Sequence, residues 1–370
     1  MKNAMGISGF DYVEFYVGSA KMAAYWYQRA FGMKLKAFRG METGDRKQSC
    51  YYLEKNQVKI VLTSAIDPGH HEIQSFLQTH GDGVKRVAYR VQDVSQAYAF
   101  ACQRGAISVR KPYELRDEYG VVHEASIRVF DDTEIVFVDA QNYRGVFRPG
   151  YMPYDGDQVH AQDTGLEHID HIVGNVRTNE MDKWAEYFEK TMDFETFVDF
   201  GPGDISTQYS ALLSKVVRSK DGVIKHPINE PYPAARKSQI QEYVEEYHGS
   251  GVQHIAIETR DILASIRALK ANGVEFLTVP STYYELMRQS GKSPEEGIDA
   301  IEELGILCDF EDVTGGKGYL LQLFTKPIGD RPSFFFEIIQ RKGGSQGFGK
   351  GNFQALFESI ELDQQRRGNL

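Results

Sequence analysis

Three side chains in this 370-residue chain have the type and setting of metal ligands: His171, His254 and Glu337. His171 lies three residues after His168 in the apolar stretch HIDHIVGNV. On a strand, successive side chains point to opposite faces, so His168 and His171 face opposite sides of a sheet. Strict alternation groups His171 with Ile169 and Val173, and His168 with Asp170, which makes His171 the inward candidate. His254, in GVQHIAIET, is flanked on its own face by Val252 and Ala256. An isolated inward histidine is more often a satisfied core residue than a ligand. Glu337, in PSFFFEIIQR, shares a face with Phe335 and Ile339. A buried ionised carboxylate costs several kcal/mol unless it is paired or metal-bound. Glu337 therefore needs a metal ion or a cationic partner such as Arg341.

Two imidazoles and a carboxylate from three strands form a facial triad. On an octahedral non-haem Fe(II), such a triad leaves about three open positions, enough for a substrate and O₂ together. A tetrahedral zinc ion with the same ligands leaves only one. The ligand types alone leave zinc, manganese and nickel open.

The elements that must carry these residues are repeated. Phe10 to Leu35 and Ile169 to Phe194 each read as strand, break and helix, with helix starts at Ser19 and Asn179 and a stop at Gly32. Val84 to Ala106 matches Val252 to Val274 without a gap, placing Asp93 on Asp261 and Gly105 on Gly273. Strand-like runs follow each helix, among them EIVFVDA, YLLQLFTKP and FFFEIIQR. The chain thus reads as two halves of two units each. A Pro, Gly and Asp-rich stretch joins them, which gives residues 1–150, a linker at 151–165, and residues 166–370. In the first half the ligand positions fall on Tyr12, Arg86 and approximately Phe137, so a site kept by the second half alone is expected. Within that half, SPEEGIDAIEEL reads as a helix capped by Ser293, with Pro294 first, Glu296 returning the bond, and a stripe of Ile298, Ile301 and Leu304.

Composition narrows the function class. Formal net charge is -10 and the basic residues are scattered, which argues against a nucleic-acid partner. An anionic substrate must be held by local groups or a metal. The three cysteines form no CxxC pair. No secretory signal and no apolar run near the roughly 18 residues of a membrane span is visible, so a cytoplasmic protein without a membrane partner is expected. The C-terminal GFGKGNFQALFESIE is not a phosphate loop, because Lys350 is followed by glycine. Its glycines read as a hinge before an amphipathic helix bearing Phe353, Leu356, Phe357 and Ile360, either a core element or a lid.

DHIVGNV, KSQIQEYVEEYHGSGVQHIA, LLQLFTKP, RPSFFFEIIQR and GFGKGNFQALFESIE, in this order, resemble the 4-hydroxyphenylpyruvate dioxygenase family of the vicinal oxygen chelate superfamily. The resemblance covers nearly all of the second half and, more loosely, the first. It implies an α+β fold of two tandem domains, each a pair of βαβββ modules forming an open, helix-covered barrel. The first domain would be a metal-free scaffold for packing and oligomerisation; the second would carry the metal and a C-terminal lid helix. The family's Fe(II) ligands fall on His171, His254 and Glu337. Its substrate positions fall on Ser214, Asn229, Pro231, Gln239, Gln253, Gln322, Phe324, Phe335, Phe348, Gly349, Asn352 and Phe353. Gln239, Gln322 and Asn229 would act in catalysis, and Phe324 and Phe353 would sandwich the ring. Strict alternation turns Gln253 away from the His254 face, so either the strand is bulged there or Gln253 acts indirectly. The implied reaction converts 4-hydroxyphenylpyruvate and O₂ to homogentisate and CO₂, in a homo-oligomer, dimer or tetramer, of tyrosine and phenylalanine catabolism. The rivals are a 4-hydroxymandelate synthase, in which a smaller aliphatic stands at the Phe353 position, a non-catalytic ligand-binding member of the superfamily, and an extradiol catechol dioxygenase.

Overall fold

The computed structural model describes residues 3–201, 211–233, 237–313 and 316–368. In the first half, β1 (Gly9–Tyr16), α1 (Ala20–Phe31), β2 (Lys34–Arg39), β3 (Gln48–Lys55) and β4 (Val58–Ala65) form one unit. After α2 (His71–His80) come β5 (Gly83–Arg90), α3 (Val94–Gln103), β6 (Ile107–Asp117), β7 (Gly120–Val129) and β8 (Thr133–Asp139), then a short β9 (Met152–Pro153). The second half repeats this order as β10 (Leu166–Asn175), α4 (Met181–Met192), β11 (Phe194–Phe200), β12 (Ala211–Ser219) and β13 (Lys225–Tyr232). Its second unit, after α5 (Gln239–Glu246), has β14 (Gly251–Thr259), α6 (Ile262–Ala271), α7 (Ser281–Gln289), α8 (Ile298–Leu304), β15 (Leu307–Val313), β16 (Gly316–Phe324) and β17 (Phe335–Lys342). A final helix, α9, runs from Phe353 to Arg367.

Each half is one open sheet, in the orders β6-β7-β8-β5-β1-β4-β3-β2-β9 and β11-β12-β13-β10-β14-β17-β16-β15. The two central strands of each sheet are antiparallel, and each has a parallel neighbour at the end of its own unit. This is the duplicated α+β architecture expected of four βαβββ modules. The matched aspartates explain the helix starts: Asp93 accepts from the Gln96 N–H and Asp261 from the Ala264 N–H. Gly32, at φ 63°, closes α1 as expected.

Two local expectations are corrected. Helix α4 starts at Met181, not next to Asn179, because Asn179 takes a left-handed φ of 64° and the Met181 N–H is held by Glu230 at 2.9 Å. The Ser293 capping box does not form. Tyr319 donates to Glu296 at 2.9 Å and Lys342 lies 3.3 Å from it, while Gly297 at φ 81° delays the helix to Ile298.

Sheet residues alternate between two environments. Val13, Phe15, Ile172, Ile255, Phe336 and Ile338 pack under the helices in one core shared by both halves. Phe15 meets Phe334 at 5.0 Å and Phe31 meets Phe336 at 4.7 Å between ring centroids. The segment after β9 is fastened to the first half, with the Gln158 amide paired to both backbone groups of Leu35 at 2.9 Å and Thr164 donating to the Phe31 carbonyl. Among the described residues no helix is long and apolar enough to cross a membrane.

His226 also bridges the halves. Its Nδ1 lies 2.8 Å from the Ile172 carbonyl and its Nε2 lies 2.5 Å from the Tyr89 hydroxyl. That pair of partners fits the neutral ring, with Nδ1–H donating and Nε2 accepting. Burial holds this imidazole down to about 4, against 6.5 when unfolded. The unfolded chain therefore binds more protons below pH 6.5, and stability falls as pH drops from 6.5 towards 4. The full loss from this residue is about 3 kcal/mol. Urea unfolding of the wild type and His226→Gln at pH 7 and pH 5 checks this: the variant should show the smaller pH dependence, and an equal slope excludes His226 as its source.

Candidate metal centre

The three candidate ligands stand on neighbouring central strands. His171 of β10 pairs with Ala256 of β14, and Ala256 pairs with Glu337 of β17, so the three positions form one row across the sheet. His254 stands two residues from Ala256 on the same strand. His171 Nε2 is 3.2 Å and His254 Nε2 3.4 Å from Glu337 Oε2, and the three ligand atoms lie within 4.8 Å of one another. Relative exposures are 3%, 9% and 3% for His171, His254 and Glu337.

Two register breaks in the ladder shape this site. Between the Ile169 and His171 pairs β10 skips a residue, so Asp170 joins the His171 side and Ile169 enters the helix-side core. Between the Val173 and Gly174 pairs β14 skips Gln253, so Gln253 faces the same cavity as His254 and Val252 turns to the helices. The facing assigned to Ile169, Asp170 and Val252 by strict alternation is corrected accordingly. Of the two options for Gln253, the bulge is the one present. His168 lies apart, half-buried and paired with Glu258 at 3.1 Å.

Each imidazole is held from behind. Asp170 Oδ2 is 2.7 Å from His171 Nδ1, and Gln253 Oε1 is 3.1 Å from His254 Nδ1. Both acceptors favour a proton on Nδ1 and leave the Nε2 lone pair towards Glu337. Phe335 stacks on His254 at 4.9 Å, and Phe348 meets His171 edge-on at 5.3 Å. Arg341, the alternative partner for Glu337, is taken by Asp170 in a two-pronged pair at 2.8 and 2.9 Å. Among the described residues no Lys or Arg lies within salt-bridge distance of Glu337. Burial alone would raise the Glu337 carboxyl, but the two imidazoles outweigh it and bring it down to about 2. Burial also works against the charged His171 ring, and the Asp170 and Glu337 carboxylates override it and raise its pKa. His254 is shifted down by burial. Two imidazole nitrogens and one ionised carboxylate, converging with no other cation, fit a divalent first-row metal ion.

Beside the trio is a cavity of about 620 Å³, part of it open to solvent. Ser214, Asn229, Gln239, Gln253, Gln322, Phe324, Phe335, Phe348 and Phe353 all line it, as the resemblance implies. Three residues of that set do not. Pro231 pairs with Leu212 further along the strand, and Pro227 reaches the cavity instead. Gly349 backs Gln322: at φ 76°, a Cβ there would lie 2.4 Å from Gln322 Nε2. Asn352 accepts from the Tyr283 hydroxyl at 2.7 Å and fixes the start of α9. Helix α9 covers the cavity with Phe353 and Leu356, and its Ile360 packs near Leu277; the Phe357 side chain lies outside the described residues. The sequence reading named Val173 as a face-mate of His171 and Leu356 on the final helix, and missed the apolar walls Phe200, Leu212, Val216 and Pro227. Alternation from Ser214 and Asn229 would have found Leu212, Val216 and Pro227.

The description "Hydroxyphenylpyruvate dioxygenase, HPPD, N-terminal" matches residues 1–149, and "Glyoxalase/Bleomycin resistance protein/Dioxygenase superfamily" matches 168–299. The 4-hydroxyphenylpyruvate dioxygenase of Caenorhabditis briggsae is 44% identical over 98% of this chain and 93% of its own length. That of Dictyostelium discoideum is 42% identical over 98% of this chain and 100% of its own. The chain belongs to the 4-hydroxyphenylpyruvate dioxygenase family. Among solved structures, a triple mutant of 4-hydroxymandelate synthase from Streptomyces coelicolor superposes with a TM-score of 0.84 at 27% identity, covering 97% of this chain and 100% of that one.

In this dioxygenase-family chain the first-half counterpart of the trio is Tyr12, Arg86 and Val136. Phe137 is corrected to Val136 because Ala88 pairs with Val136 as Ala256 pairs with Glu337, whereas Phe137 turns into the helix-side core. Wild-type protein is expected to bind one divalent ion per chain. His171→Ala, His254→Ala and Glu337→Ala should each weaken that affinity by more than about 100-fold, since loss of an outer-shell partner alone costs about 10–100-fold. His168→Ala should keep it. Metal content after dialysis decides, and a full complement in any of the first three removes that residue from the ligand set.

Proposed function

We propose that the protein converts 4-hydroxyphenylpyruvate and O₂ to homogentisate and CO₂, using Fe(II) held by His171, His254 and Glu337. The convergence of these three groups at a largely apolar cavity carries the reading. When bound, the ion offers coordination positions to the 2-oxo acid and to O₂ and supplies the redox chemistry between them. The substrate brings its own 2-oxo acid, so no separate 2-oxoglutarate is required.

The chain's own residues have three tasks. Phe324 and Phe353 clamp the aromatic ring, and α9 keeps bulk water from the reacting carbons. The amides of Gln239, Gln322 and Asn229 orient the phenol end and its keto form, with Ser214 and Gln253 beside them. Asn229 is itself steadied, its Nδ2 donating to Asn175 at 3.2 Å. Asp170 and Gln253 keep the two imidazoles in the tautomer that presents Nε2. The first half acts as a metal-free scaffold for packing and assembly. Its inner face is filled by Phe147 stacked on Tyr52 at 4.0 Å and by Arg148 paired with Glu124 at 3.0 Å.

A benzylic hydroxylation giving 4-hydroxymandelate is the second reading, favoured by the synthase's close superposition; the aromatic side chain at Phe353 speaks for ring hydroxylation. Incubation with Fe(II), ascorbate and 4-hydroxyphenylpyruvate separates the two. Homogentisate is the expected product, and hydroxymandelate as the main product would overturn the assignment. Gln239→Met and Gln322→Met should each lower kcat/KM by about 10- to 100-fold, the equivalent of one lost buried hydrogen bond. Steady-state kinetics at unchanged iron content test this, and wild-type values would remove the glutamine from the catalytic set.

A further inference from the structure

The Arg341 guanidinium is 9% exposed and serves two masters. Nε and Nη2 donate to the Asp170 carboxylate at 2.9 and 2.8 Å, and Nη1 donates to the Gly347 carbonyl at 2.7 Å. Asp170 is the group behind His171 Nδ1. Gly347 precedes Phe348, whose ring rests on His171, and the Arg341 guanidinium itself lies 5.6 Å from the centre of that ring. These contacts close a circuit: His171, Asp170, Arg341, Gly347, Phe348 and back to His171. The covering segment is pinned further along by Glu311, which accepts from the Gly347 N–H at 3.0 Å, and by Tyr283 at Asn352.

We propose that Arg341 is a positioning residue that couples the seating of His171 to the seating of the 347–353 segment over the cavity. The proposal rests on the reading of His171 as a metal ligand. The planar fork gives Asp170 two parallel donors and keeps Nη1 for the Gly347 carbonyl; the point-like ammonium of a shorter lysine at the same place loses the two-pronged grip on Asp170 when it reaches for Gly347. A metal ion that fixes His171 therefore fixes Asp170 and, through Arg341, the strand of backbone that carries Phe348. By linkage, a seated segment raises metal affinity by the same factor as the metal favours the seated segment. A displacement of that segment would thus be felt at His171.

The test uses the full chain, Co(II) as the probe, and two readouts besides turnover. One is Co(II) affinity from its visible absorbance. The other is the rate of trypsin cleavage after Lys350, which is exposed in the glycine-flanked turn before α9. In the wild type, Co(II) should slow that cleavage several-fold. In Arg341→Lys, Co(II) should bind about tenfold more weakly, as for loss of an outer-shell partner, cleavage of the metal-free protein should speed up, and protection by Co(II) should vanish. Asp170→Asn, which leaves the Arg341 to Gly347 bond in place, should weaken Co(II) and abolish protection without speeding metal-free cleavage. Wild-type protection in Arg341→Lys, or no protection by Co(II) in the wild type, overturns the coupling. If Arg341→Lys loses its cooperative melt, Asp170→Asn decides, and retained protection there overturns it. Failure of the ligand reading looks different: Co(II) would bind the wild type and His171→Ala equally well.

Discussion

A carboxylate sits in the middle of a sheet, 3% exposed, with no lysine or arginine beside it among the described residues. Glu337 is the constraint around which the second half is organised. Left alone, such a charge costs several kcal/mol, so the surrounding strands must bring compensation to it. They do so by register: β10 and β17 both pair with β14, and the pairing puts two imidazoles within 3.4 Å of one carboxylate oxygen. The arginine that might have neutralised the glutamate is diverted to Asp170, one bond behind the site. The charge is therefore partly unmet, which is the condition a divalent cation answers.

The duplicated fold shows what the same scaffold does without that constraint. Tyr12, Arg86 and Val136 occupy the corresponding row of the first sheet. The cation Arg86 is met there by Glu14 at 3.0 Å, Glu72 at 2.9 Å and Glu134 at 3.3 Å. Burial weighs against the ionised Glu14, yet Arg86 and Arg148 prevail and lower its carboxyl. The first half thus satisfies its buried charges internally, and Phe147 and Tyr151 fill the space where the second half keeps a cavity. One architecture yields a packed inner face or a cluster able to hold a metal according to which row residues it carries.

Much of this was legible in the sequence because the signals were local or repeated. The gapless match of Val84–Ala106 with Val252–Val274 contains both the strand that carries His254 and the cap at Asp261. The family resemblance supplied most of the cavity-lining side chains. What failed shares one cause, a backbone feature that depends on neighbours. The Ser293 cap was lost because Tyr319 and Lys342, from the sheet, took Glu296. Asn179 was misplaced because Glu230, on another strand, holds the true first turn. Phe137 was off by one, since only ladder pairing reveals which residue of β8 faces inward. Of the positions that the resemblance implies, Pro231, Gly349 and Asn352 stand outside the cavity lining: Gly349 and Asn352 belong to the covering segment, and Pro231 lies two residues beyond Asn229 on β13.

The register breaks at Asp170 and Gln253 are where alternation and function part. A regular β10 would send Asp170 to the helix side, where an ionised carboxylate has no partner, and would leave His171 Nδ1 without an acceptor. A regular β14 would do the same to the Gln253 amide and to His254. One extra residue in each strand places an acceptor and an imidazole side by side on the same face, at a cost in ladder hydrogen bonds that the buried polar contacts offset. In β10 the same step reaches further, because the displaced Asp170 becomes the anchor for Arg341 and, through Gly347, for the segment that closes the cavity. The irregularity in the strand is thus what lets a candidate metal ligand and a covering loop more than 170 residues away share one guanidinium.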